Sequence, residues 1–200
     1  KSINTNPKAR GEFGEIERLM KESMVQMASL GNKYMLDLKS IGWNSILKPS
    51  RIKKDKTLSE SKVMIQKAKD LLKKHKNRTK KLLQNTKRKI RNLDASAISR
   101  RKMESSFDRG MKKAKEFIRT IWSLEEKAIN KYEDIINLLS AKKDSWVVKG
   151  EQILFYNESD LDKFNSYIAS IQNIAKEQRQ IRRQNAQAIN QSFNRMKEMR

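Results

Sequence analysis

A single histidine, His75, sits within KKHKNRTKK, among basic residues. Imidazole is the usual proton carrier near neutral pH, and nucleophilic triads need one beside Ser or Cys. This chain has no Cys, and His75 falls on a helical stripe between Leu72 and Thr79. It therefore reads as a part-buried structural histidine. Carboxylates adjoin at Glu125/Glu126, Glu133/Asp134 and Asp160/Asp162. Glycosidases and di-metal bundles aim such groups into one cleft, but a di-iron bundle needs Glu-x-x-His twice. One histidine cannot supply that, and the lysines around these acids mark ordinary exposed faces. The six glycines fit neither GxxxxGK nor GxGxxG, so no phosphate loop is encoded. Without Cys, disulfide scaffolds and thiolate metal sites are excluded. The expectation is a protein with no catalytic residues, no metal and no cofactor.

What the chain does offer is charge. Lys and Arg number 46 against 23 Asp and Glu, a net of +23. From Lys48 to Leu93 there are 18 basic and 3 acidic residues, so this segment alone holds +15 of the excess. Such a field draws polyanions and anionic lipid surfaces. The same composition also suits a merely solvated helix face. Phosphate contacts need only Lys or Arg. Between Lys48 and Leu93 there is no Phe, Trp or Tyr, which leaves nucleic acid only backbone contacts without base stacking.

The elements that carry these charges follow from the apolar spacing. Six Gly and two Pro in 200 residues are too few for the turns of a sandwich or barrel. A stripe of Phe13, Ile16, Met20, Met24, Met27, Gly31, Tyr34, Leu38 and Ile41 predicts a first helix over about 12–43. Gly31 on that stripe would allow another helix to approach closely. Pro49 breaks the chain inside a basic loop, 44–57. A second helix is expected from Ser59, acting as cap, to about Leu93, weakly packed where its stripe turns polar at His75, Thr79 and Thr86. A third runs to about Lys142 through Met103, Phe107, Met111, Ile118, Ile121, Ile135 and Leu139. Helices this long must lie side by side to cover their stripes. Four methionines in the first helix, with Met103, fit core filling or an adaptable groove.

The helical period stops at SWVVKGEQILFYN, which reads as a hairpin of 145–148 against 152–156, turning at Lys149–Gly150. Two strands alone are marginal, so Trp146, Ile153 and Phe155 must pack on the helices. A last helix follows, interrupted by Gln178 and Asn185. The fold expected is all-α: an elongated antiparallel bundle of three to four long helices, with one short hairpin at about 145–156 before the last. The whole of 1–200 forms one domain, with 1–11 disordered and 185–200 extended or frayed.

Trp146-Val147-Val148-Lys149-Gly150, then Gln152, Phe155 and Phe164-Asn165, form an aromatic–Val strand, a Gly turn and a helix bearing an aromatic–Asn pair. This pattern resembles the C-terminal part of a family of uncharacterised bacterial lipoproteins, over about 20 of the 200 positions. The resemblance implies a helical, extracytoplasmic, membrane-tethered protein without assigned activity, with Trp146, Gly150, Phe155 and Phe164 as structural anchors. The chain begins at Lys1 without an initiator Met, as a processed or excised chain would, and the family's anchoring cysteine is absent.

The expected role is thus a non-catalytic cell-envelope protein that presents a basic face to anionic lipid or to a protein partner. Lys53, Lys54, Lys62, Lys69, Lys73, Lys76, Lys80, Lys81, Lys87, Arg88 and Arg91 would carry that face. The alternatives are a cytosolic, sequence-indifferent nucleic-acid-binding bundle, and a carrier of an apolar small molecule between helices.

Overall fold

The structure, a computed structural model, describes residues 5–8 and 10–198, without the side chains at 13, 110, 113 and 189–198. Among these residues the α-helices are α1 (Gly11–Ser40), α2 (Pro49–Lys54), α3 (Ser59–Arg91), α4 (Ala97–Ala141) and α5 (Glu158–Glu198). Strands β1 (Trp146–Lys149) and β2 (Gln152–Phe155) form an antiparallel hairpin before α5. The chain is all-α apart from that hairpin, as its periodicity predicts.

Gly42, at φ +78°, takes the left-handed conformation that stops α1. The expected basic loop at 44–57 is more ordered than predicted: it holds a 3-10 turn at Trp43–Ser45 and then α2. Pro49 opens α2, where its missing amide proton has no helical partner to lose. Ile52, fully buried, pins the short helix down. The start of α3 also departs from expectation, because Ser59 does not cap it. Leu58 precedes the helix at φ +58°, a strained conformation for a side chain that is itself fully buried. Its carbonyl accepts the Lys62 amide, but it has no side-chain oxygen for the next free amides. Asp55 supplies that oxygen. Its carboxylate accepts the Ser61 amide at 2.8 Å, the Ser61 hydroxyl at 2.7 Å and the Glu60 amide at 3.3 Å. Arg51 closes the network by donating to the Ser45 and Ile46 carbonyls and to Ser61 Oγ.

The segments sort into two compact units. The first comprises Lys1–Ser40 and Asp70–Glu116. Within it α1 and α3 run antiparallel, tied by Ser23 to Thr86 at 3.2 Å and by Asp37 to His75 at 2.8 Å. The start of α4 returns along α3, and Leu19, Ile90, Met103, Phe107 and Met111 form the core. The polar middle of α3 does not bend away. His75, Thr79 and Thr86 are buried, and Thr86 meets its need locally by donating to the Leu82 carbonyl at 2.9 Å. Gly31 is exposed, and a Cβ there would touch nothing, so no helix approaches it closely. Residues 199–200 and much of the expected disordered start, 1–4 and 9, lie outside the described residues. Within 1–11, Lys8 donates its amide to Glu17 at 2.8 Å, and the Asn6 carbonyl accepts from Lys21 at 2.8 Å.

The second unit comprises Ile41–Lys69 and Phe117–Arg200. Ile46, Ile52, Leu58, Ile65, Ile135 and Leu139 are buried in it. The hairpin pairs Trp146 with Phe155 and Lys149 with Gln152. Only Gly150 in its two-residue turn has positive φ, as a type II′ turn requires. Trp146, Val148, Ile153 and Phe155 share the inner face. The Trp146 indole donates to the Leu139 carbonyl at 2.9 Å, and Phe155 meets Phe164 with ring centres 5.2 Å apart. The hairpin thereby turns α5 back along α4, where Lys131 lies over Tyr167 and Arg182 faces Glu125. The expected fraying at 185–200 is not seen in the backbone, which stays helical to Glu198.

The Asp55 cap yields a direct test. Burial alone would raise its carboxyl pKa, but hydrogen bonds from the Ser61 hydroxyl and from the Ser61 and Glu60 amides hold it below the ordinary 3.8. Asp55→Ala is expected to cost about 2 kcal/mol in urea denaturation at neutral pH. Because the folded carboxyl titrates below its unfolded value, its stabilisation is complete above 3.8 and fades as pH falls through the folded value. The difference between the wild type and the variant should therefore be flat near neutrality and shrink in acid.

Candidate functional site

A helix as basic as α3 must place its cations against acids or in water. Its buried stripe runs through Ala68, Leu72, His75, Thr79, Thr86 and Ile90. At 100° per residue this leaves two flanks. On the flank toward α4 several cations are paired. In the first unit Lys87 meets Asp108 at 2.7 Å and Glu104 at 3.4 Å, and Arg91 donates to Glu104 at 2.5 Å. In the second unit Lys69 holds both oxygens of Glu133 at 2.6 Å, and Lys62 donates to Ser140 at 2.9 Å. The pairs tune one another. The Asp108 hydrogen bond raises the Lys87 pKa, and Arg91 depresses that of Glu104.

Lys62, Lys69, Lys87 and Arg91, four of the cations expected to face a partner, are thus engaged by groups of the same molecule. Lys53 and Lys54 close α2 in the second unit and are exposed. Lys73, Lys76, Lys80, Lys81 and Arg88 are exposed on α3. The other flank of α3 carries a second basic row. Lys74, Arg78, Lys81, Asn85 and Arg88 follow one another at steps of 4, 3, 4 and 3, one ridge about 21 Å long at 1.5 Å per residue. Among the described residues none of its four cations pairs with a carboxylate. Lys81 and Arg88 were expected to be surface-facing; Lys74 and Arg78 were missed. Their spacing was readable, but only once the buried stripe fixes which side of the helix faces out.

The ridge borders α1. Asn85 and Lys89 of α3 share a notch of about 100 Å³ with Glu22, Ser23 and Gln26 of α1. Further along, Lys74 of α3 and Lys33 of α1 both act on Asp37, whose pKa is lowered first by the hydrogen bond from His75 and then by these cations. His75 is fully buried, packed edge-on against Tyr34 at 5.4 Å. It works as a brace between α1 and α3, with its Nδ1 unmatched among the described residues.

On the face turned away from its core side, α1 carries a second, largely apolar stripe. Val25, Ala28, Met35 and Leu36 are exposed at helical spacing, with the small polar Ser29 and Asn32 between them. Met35 is 54% exposed and Leu36 64%. Apolar spacing alone passed over this stripe, because Ser29 and Asn32 interrupt it and Met35 was grouped with the core methionines. The unit therefore presents a cationic ridge and an apolar stripe on two neighbouring helices. Among the described residues no group of three or more His, Asp or Glu could hold a metal ion, and no helix is long and apolar enough to cross a membrane. Neither the protein-family models, the curated proteins nor the solved structures contain a match to this chain.

The α3–α4 pairing is testable. Replacing both acids, Glu104→Gln with Asp108→Asn, leaves Lys87 and Arg91 to repel each other. The thermal midpoint is expected to fall at low salt, and the deficit against wild type to narrow as added salt screens the exposed charges.

Proposed function

We propose that this protein is a non-catalytic binder of anionic membrane surfaces. The ridge of Lys74, Arg78, Lys81 and Arg88 meets the lipid headgroups while Met35 and Leu36 enter the apolar boundary beneath them. One observation supports this reading above others: a single unit carries both a ridge of cations on α3 and an exposed, largely apolar stripe on α1. Peripheral membrane binding sums buried apolar area and attraction to anionic lipid. Each basic side chain near such a surface contributes about 1 kcal/mol. Nucleic acid would use the ridge through its phosphates but has no use for Met35 and Leu36, and the ridge carries no aromatic side chain for base stacking. With the resemblance of the hairpin to bacterial lipoproteins, the reading places the protein at the extracytoplasmic side of a bacterial membrane, against the cell envelope.

The experiment is co-sedimentation with phosphatidylcholine vesicles, with and without phosphatidylserine, at low and moderate salt, beside a titration of duplex DNA. Binding is expected only to the anionic vesicles, and weaker at moderate salt. Lys74→Glu, Lys81→Glu and Arg88→Glu together, all at exposed positions, should weaken it by at least about a hundredfold. Leu36→Ser should weaken vesicle binding and leave any DNA binding unchanged. DNA binding tighter than vesicle binding, or an unaffected triple variant with native circular dichroism, overturns the proposal.

A further inference from the structure

The exposed stripe of α1 includes a group that can be chemically altered in place. Methionine oxidation follows solvent access to the thioether sulfur. Met20, Met24, Met27 and Met64 are half-buried, and Met103 and Met111 are buried. Met35, at 54%, is the exposed methionine among those whose side chains are described. It stands next to Leu36 on the exposed face of α1, turned away from the side that Asp37 presents to His75.

We propose that Met35 is an oxidation site whose modification releases the protein from anionic membranes. This rests on the membrane-binding reading above. The oxidant is a hydroperoxide, hydrogen peroxide in the simplest case. The sulfur lone pair attacks one peroxide oxygen, and the O–O bond breaks. The thioether is oxidised by two electrons to the sulfoxide, and the other oxygen leaves as water. An apolar thioether becomes a strongly polar S=O dipole that does not enter hydrocarbon. The cationic ridge keeps its charge, so electrostatic attraction remains while the insertion that adds to it is lost. Because Met35 lies outside the buried core, the helices should stay intact. A buried membrane face also shields the sulfur, so bound protein should resist the oxidant.

The test treats the whole chain with dilute hydrogen peroxide and maps oxygen addition by peptide mass spectrometry. Vesicle binding is then measured by co-sedimentation on phosphatidylserine-containing vesicles. Met35 should gain oxygen before Met20, Met103 and Met111, and more slowly when vesicles are present. Oxidised protein should bind about fivefold more weakly, the loss expected for removing one partly inserted apolar side chain. Met35→Leu, whatever its starting affinity, should keep that affinity after peroxide. Met35→Gln should bind weakly without treatment. If the untreated protein binds vesicles but Met35 sulfoxide binds equally well, the oxidation proposal fails and the membrane reading stands. If the untreated protein does not bind, both fail. Loss of binding by peroxide-treated Met35→Leu would assign the effect to another methionine and overturn this one.

Discussion

Everything in the first unit follows from how α3 distributes its charge. A helix with this many cations cannot lie in a bundle unless its packed flank finds acids, since like charges at close range oppose the compact state. Glu104 and Asp108 of α4 do that for Lys87 and Arg91, and Glu133 does it for Lys69 in the second unit. These are exposed pairs that contribute little one by one. Their effect is to fix which flank of α3 turns inward. The opposite flank is then left to water or to a partner, and its ridge of four cations is the result.

His75 and Asp37 extend the same logic into the interior. The α3 stripe is polar in its middle, and a polar stripe is tolerated in a core only where each group finds a partner. Asp37 of α1 meets His75, Ser23 meets Thr86, and Thr86 also reaches back to its own helix. These contacts hold α1 to α3 where apolar packing is thin. They also settle which face of α1 is left over.

Much of the architecture was legible because it rests on periodicity and turn chemistry. The apolar stripes of Met103–Leu139 and the β-branched run around Gly150 each admit one reading, and the structure follows both. The remainder depends on pairings across space that no local pattern encodes. Asp55 caps a helix that starts four residues after it, past a left-handed Leu58, while Ser59 carries the expected capping chemistry and does not use it. Asp37 and His75 are 38 residues apart in the chain. The candidate surface was half visible: the basic excess of 48–93 stood out, but which cations are consumed by α4 could not be read before the helices were placed. Gly31 and Met35 of α1 misled in the same direction. A small residue on an apolar stripe suggested contact where there is open solvent, and a methionine that fits core filling lies on the surface.

The ridge and the strip of Val25, Met35 and Leu36 on one unit bear on how the molecule behaves in a crowd of its own kind. Greasy strips on identical chains ordinarily invite them to stick together, and a symmetric pairing through this strip would bring two strongly basic helices into one assembly. The positive charge of each copy would then oppose the other, while a surface of opposite sign would meet no such resistance. A chain with this excess of positive charge thus meets more resistance in touching a twin than in touching an anionic sheet.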